Sequence, residues 1–196
     1  MPAKKTNPRV KNLSILLGVS GGIAAYKAVD LASKLTAAGV RVKTVMTNAA
    51  CELVGPKSFE AVTRSAVFTS LWDIPGEYEI DHIALVDWAD IVVVAPATAN
   101  IIGKIANGIC DDLLSTLLCA ASAKPILLAP AMNSNMWANT AVQRNIKTIK
   151  KMGFRLTGPQ TGRLACGTEG VGRMSEPKDI LKAIEKISSK IKRKKK

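Results

Sequence analysis

The chemistry available to this chain is concentrated in a few short stretches. The first is Ser20-Gly21-Gly22-Ile23-Ala24-Ala25. Glycines there let a backbone approach a phosphate, and a helix beginning at that point offers free N–H groups and a positive dipole end. A tight strand-to-helix turn is the plainer reading of the same residues. The dinucleotide fingerprint G-x-G-x-x-G is absent, and the second apolar run ends Val45-Met46-Thr47 rather than on an acid for an adenosine ribose. A mononucleotide fits better, with Thr47 as a candidate hydroxyl donor.

Two further stretches mirror each other. One reads Pro96-Ala97-Thr98-Ala99-Asn100 and the other Pro130-Ala131-Met132-Asn133-Ser134-Asn135-Met136-Trp137, each following an apolar run that ends in alanine. Proline is expected to stop the strand, small residues admit a flat ligand, and Thr98, Asn100, Asn133 and Asn135 supply polar groups. Capping of the next helices accounts for one of Asn133 and Asn135. His82, the single histidine, stands in Asp81-His82-Ile83 between a loop and the approach to a strand; it is a candidate base or hydrogen-bond partner, or a structural side chain. Cys166 lies between Ala165 and Gly167 in a segment with four glycines, Gly162 to Met174, which predicts a mobile flap. A thiol there is poorly placed to serve as a core hydrophobe. Cys51, Cys110 and Cys119 keep that reading.

The elements that must carry these stretches alternate. Ser14 to Val19, Val40 to Met46, Ile91 to Ala95 and Ile126 to Ala129 read as buried strands. Helices are expected over Ile23 to Ala38, Pro56 to Thr63, Thr140 to Met152 and Pro177 to Ile187, and from about Ile101 to Ala121 with a break near Gly108. Leu71 to Asp81 and Leu156 to Arg173 read as loops. Continuous apolar strands separated by helices predict a parallel sheet covered on both faces, with ligands at the carboxyl ends of the strands.

Bulk properties narrow the classes. The 196 residues suffice for one domain, and 47% hydrophobic with 22% charged is the balance of a soluble protein. No apolar run is long enough to cross a bilayer, and the polar, basic start gives no signal peptide, so a cytoplasmic location is expected. The net charge is +13, but residues 1–11 carry +4 and residues 188–196 carry +6, with no acid in either. Such runs read as solvated tails rather than a nucleic-acid surface. The domain plan is a basic arm over 1–12, a single domain over 13–187 with its flap at about 158–174, and a basic tail over 188–196. No C-x-x-C pair occurs and the histidine is remote from the cysteines, so no metal site is expected.

In this order the motifs resemble the homo-oligomeric flavin-containing cysteine decarboxylases, and most closely the phosphopantothenoylcysteine decarboxylases that form the N-terminal half of a bifunctional bacterial enzyme of coenzyme A synthesis. The resemblance covers about residues 13–187 and rests on Pro130 to Trp137, on His82 and on Cys166. It implies a three-layer αβα, Rossmann-like flavoprotein with a mainly parallel sheet. FMN would be held by Ser20, Gly21, Gly22, Thr47, Ala97, Thr98, Ala99 and Asn100, with Ala131 and Met132 near its ring. The implied reaction is redox-neutral decarboxylation of 4'-phosphopantothenoylcysteine to 4'-phosphopantetheine. His82 would assist oxidation and decarboxylation, Asn133 would hold the substrate carboxylate, and Cys166 would donate the late proton while Ala165 and Gly167 pack on the substrate. A trimer, or a dodecamer of such trimers, with active sites between subunits is implied too. A peptidyl-cysteine decarboxylase, a flavin prenyltransferase and a non-catalytic regulator are the alternatives of the same fold.

Overall fold

A computed structural model describes residues 10–72 and 81–194. Six parallel strands form the centre: β1 (Ser14–Val19), β2 (Arg41–Met46), β3 (Val67–Phe68), β4 (Ile91–Ala97), β5 (Ile126–Pro130) and β6 (Arg155–Leu156), in the spatial order β3-β2-β1-β4-β5-β6. The apolar runs of β1, β4 and β5 are buried throughout because both faces are covered. Alternation sorts their side chains. Ile15, Leu17, Val19, Ile91, Val93, Leu127 and Ala129 face one core, while Leu16, Val92, Val94, Ile126 and Leu128 face the other.

The first core is closed by α1 (Ala25–Ala37), α3 (Pro56–Thr63) and α9 (Pro177–Lys194) through Leu31, Leu35, Phe59, Ile180 and Ile184. The second is closed by α4 (Asp81–Trp88), α5 (Ala99–Asn107), α6 (Leu113–Ala120) and α8 (Thr140–Lys151) through Leu85, Ile101, Ile102, Leu114, Leu117 and Ile149. Each fully buried aliphatic side chain stabilises the fold by about 1.5–3 kcal/mol. Two short helices, α2 (Asn48–Cys51) and α7 (Ser134–Ala138), follow β2 and β5.

Several elements differ from the sequence expectation. Proline does not stop β4: the strand continues through Pro96, with a register shift between Val94 and Ala97 that lets Ala97 pair with Pro130. His82 sits in the first turn of α4, not on an approach to a strand, and most of the expected loop before it, residues 73–80, lies outside the described residues. The segment after β6 is not a loop but an antiparallel hairpin, β7 (Gln160–Arg163) with β8 (Glu169–Arg173). The last helix runs on to Lys194 and buries Ser188. Gly108 separates α5 from α6 as expected.

Candidate active site

Successive connections move outward from β1 to β2 and β3, then return to place β4 on the other side of β1. The crevice at that reversal, beyond the carboxyl ends of the strands, is where this topology leaves room for a ligand. A cavity of about 730 Å³ opens there. Gly21, Gly22, Thr98, Ala99 and Asn100 line one part of it. Ala131, Met132 and Asn133 line another, and Ala165 and Cys166 of the hairpin close over it. The mirrored loops of the sequence thus meet across one space.

Ser20 stands behind this wall. It is buried, its Oγ donates to the Pro96 carbonyl at 2.8 Å, and it accepts from the Thr98 N–H at 3.1 Å. The hydroxyl is spent on latching the β1 loop to the β4 loop. Gly21 is required by crowding, since a Cβ there would lie 2.4 Å from the Ala49 Cβ. Thr47 caps α2, accepting from the Ala50 N–H at 3.2 Å, and it does not line the cavity. Ala97 is buried in β4 and Gly167 turns the hairpin tip, both off the cavity wall.

Helix starts differ in how they are closed, and α3, away from the cavity, begins on Gly55 without a side-chain cap. α2, α6, α7 and α8 are closed by side-chain caps. α1 and α5, which begin on the cavity wall, have no side-chain cap. In α1 the Ala25 and Lys27 N–H groups turn back onto the Gly22 and Ala24 carbonyls, and the positive dipole ends of both helices face the space where the loops meet.

The hairpin brings the reactive groups together. β8 lies directly on the loop after β5: the Met132 N–H donates to the Gly172 carbonyl at 3.0 Å, and a Cβ on Gly172 would lie 2.1 Å from the Met132 oxygen. The tip is tightened by Leu164 N–H to Thr168 O at 2.8 Å and Gly167 N–H to Leu164 O at 2.9 Å. This turn holds Cys166 Sγ 3.1 Å from Thr168 Oγ1 and 3.4 Å from Asn133 Nδ2. Asn133 is the N-cap of α7, where its Oδ1 accepts from the Asn135 N–H at 2.8 Å. With the carbonyl committed to the cap, the amide NH2 is aimed at Cys166. The Thr168 hydroxyl, then the Thr168 backbone N–H, and the Asn133 amide hold the Cys166 thiol below the ordinary cysteine range by stabilising its thiolate.

His82 does not join them. It is half-buried near the start of α4 and does not line the cavity of this protomer. α4 ends just before β4 begins, and His82 stands at the far end of this eight-residue helix, about 12 Å long. Sequence reasoning also missed Tyr26, Lys27, Arg163 and Arg173, all on the cavity wall. The two arginines lie near either end of the glycine-rich segment Gly162 to Met174, which was the available signal. At the cavity rim Ile23, Tyr26 and Met136 are 61%, 60% and 47% exposed.

A family model described as flavoprotein matches residues 3–189. The chain belongs to the flavoprotein family. It is 50% identical over 177 residues to the coenzyme A biosynthesis bifunctional protein CoaBC of Bacillus subtilis, covering 90% of this chain and 43% of that relative. The chain thus spans less than half the length of the curated relatives it matches. Among solved structures, a PPC decarboxylase mutant complexed with pantothenoylaminoethenethiol is 33% identical, with a TM-score of 0.82 over 90% of this chain and 98% of that one. The FMN-dependent cysteine decarboxylase SpaF is 34% identical, with a TM-score of 0.79 over 92% of this chain and 99% of that one. The three-layer fold with a six-stranded parallel sheet is therefore that of the PPC decarboxylases.

Proposed function

We propose that this chain is an FMN-dependent decarboxylase acting on 4'-phosphopantothenoylcysteine in coenzyme A synthesis, in the cytoplasm. The observation that carries the reading is the Asn133–Cys166–Thr168 cluster at the roof of a cavity entered by two uncapped helices. The residues fit FMN. The uncapped starts of α1 and α5 suit a single phosphate, Gly22 and Ala131 leave the walls low, and about 730 Å³ has room for a flat ring and a substrate together.

Bound FMN would supply a two-electron oxidation of the substrate and the matching reduction, which makes an unactivated carboxylate able to leave. The chain's own groups orient and protonate. The Asn133 NH2, fixed by its cap, donates to the substrate carboxylate and aligns the breaking bond. Cys166 gives a proton to the decarboxylated product late in the cycle. Its thiolate is then held by Thr168 and Asn133. The hairpin excludes water from the reactive sulfur-bearing intermediate. His82 assists the early half of the reaction, and because it is absent from its own protomer's cavity, it would be supplied across a subunit contact. An apolar rim of Ile23, Tyr26 and Met136 favours a second copy covering it, as in a trimer or a dodecamer of such trimers.

Purified protein should be yellow and release FMN on denaturation. Cys166→Ser should still bind FMN and release CO2 but accumulate the oxidised enethiol, seen by mass spectrometry beside the absorbance of reduced flavin. Normal 4'-phosphopantetheine from that variant would remove Cys166 from the chemistry, and protein that takes up no FMN would overturn the reading as a whole.

A further inference from the structure

One part of the cavity wall is cationic and has no part in the chemistry above. Lys27, from the first turn of α1, and Arg173, from the end of β8, both line the cavity. They share one carboxylate: Lys27 Nζ lies 2.8 Å from Glu176 Oε1, and Arg173 Nη2 lies 3.2 Å from the same oxygen. Two cations on one acid leave a positive charge unmatched. The guanidinium is also short of acceptors. Its Nη2 reaches Gln160 Oε1 only at 3.5 Å, and its buried Nε has no partner among the described residues. A Cβ on Gly162 would come within 3.2 Å of Arg173 Nη1, so the planar group packs over that glycine. Arg173 is thereby fixed on the hairpin, with hydrogen-bonding capacity left over.

Position matters as much as charge. Cys166 is at the hairpin tip, and Arg173 pairs with Gln160 at its base. From Glu169 to Arg173 the strand rises about 14 Å. The substrate proposed above carries its cysteine at one end and a phosphate monoester at the other, and extended it spans about as much as four residues of strand. With the cysteine end at Cys166, the phosphate falls at the base of the hairpin.

We propose that Arg173, with Lys27 beside it, is the anchor for the substrate's 4'-phosphate, and hence the determinant that separates phosphorylated from unphosphorylated substrate. This rests on the decarboxylase reading for its ligand. Arginine suits the task because its fork matches phosphate oxygens, and Glu176 keeps both cations in place when no phosphate is bound.

The test compares wild type, Arg173→Met and Arg173→Lys on 4'-phosphopantothenoylcysteine and on pantothenoylcysteine, with calorimetry of 4'-phosphopantothenate and pantothenate binding as a readout free of turnover. Arg173→Met should raise KM for the phosphorylated substrate at least about tenfold with kcat held within about twofold. It should leave kcat/KM for pantothenoylcysteine unchanged, and Arg173→Lys should recover part of the loss. Calorimetry should show the wild type preferring 4'-phosphopantothenate and the Met variant losing that preference. Equal damage to both substrates would make Arg173 a brace of the hairpin and overturn the proposal. So would weakened FMN retention with unaltered substrate discrimination, because the cluster would then serve the cofactor's phosphate. Phosphate-selective binding by a wild type that releases no CO2 would instead sink the decarboxylase reading and leave the anchor standing.

Discussion

A thiol can act as a proton donor only if the anion it leaves behind is tolerated. Around Cys166 that tolerance comes first from the Thr168 hydroxyl and then from the Thr168 N–H, with the Asn133 amide adding to it. Burial works the other way at Cys51, whose thiol is pushed up, and at Cys110, where burial and the neighbouring Cys119 raise it. A lowered pKa means more thiolate at a given pH below it. Iodoacetamide at pH 7 should therefore label Cys166 before Cys51 or Cys110, with its rate–pH midpoint below that of a free thiol. Thr168→Val should move that midpoint upward and slow formation of 4'-phosphopantetheine while FMN stays bound. Peptide mapping of the labelled protein reads the order directly, and first labelling at Cys51 or Cys110 would refute it. Asn133 and Cys166 were legible in the sequence because glycine and proline around them signal a functional loop. Thr168 was not: its role exists only because the turn at Leu164–Thr168 folds its hydroxyl back onto the sulfur.

At the scale of elements, the four main buried strands and most helices could be read because burial on both faces demands continuous apolar runs. The hairpin could not. Gln160–Arg163 and Glu169–Arg173 are glycine and polar residues with Thr161 and Val171 as their two strand formers, and their order comes from resting on the loop after β5. The end of α9 was misread for a different reason. Lysines from Lys190 onward look like a solvated tail, yet Ile191 extends the apolar stripe of Ile180, Ile184 and Ile187, and Ser188 is fully buried. Deleting residues 192–196 should thus change stability by less than about 0.5 kcal/mol. Deleting residues 188–196 removes Ile191 packing and the buried Ser188, and should cost about 1–3 kcal/mol, roughly 2–10 °C in Tm. Differential scanning calorimetry of the two truncations distinguishes these outcomes; equal melting temperatures would mean that α9 is finished at Ile187.

The whole molecule raises a question that no single element answers. The crevice at the strand-order reversal gathers Asn133 and Cys166, and its rim is apolar and open, while His82 lies on α4 outside the cavity wall. A sequence carries no direct sign of this division, because whether two side chains share a site within one copy or between copies depends on which faces meet. If His82 acts across a subunit contact, two inactive variants can repair each other. His82→Asn and Asn133→Asp should each release almost no CO2: the first lacks the base, and the second sets a carboxylate against the substrate's own. Co-refolded or co-expressed in equal amounts, they form rings in which some sites draw His82 from one variant and Asn133 from the other. Random mixing makes about a quarter of the sites whole, so about a quarter of wild-type CO2 release should return. Mixing the pre-formed oligomers without dissociation should return none. A co-assembled sample that stays as inactive as its parents would place His82 and Asn133 in the same protomer's site, and α4 would then have to move to reach the cavity.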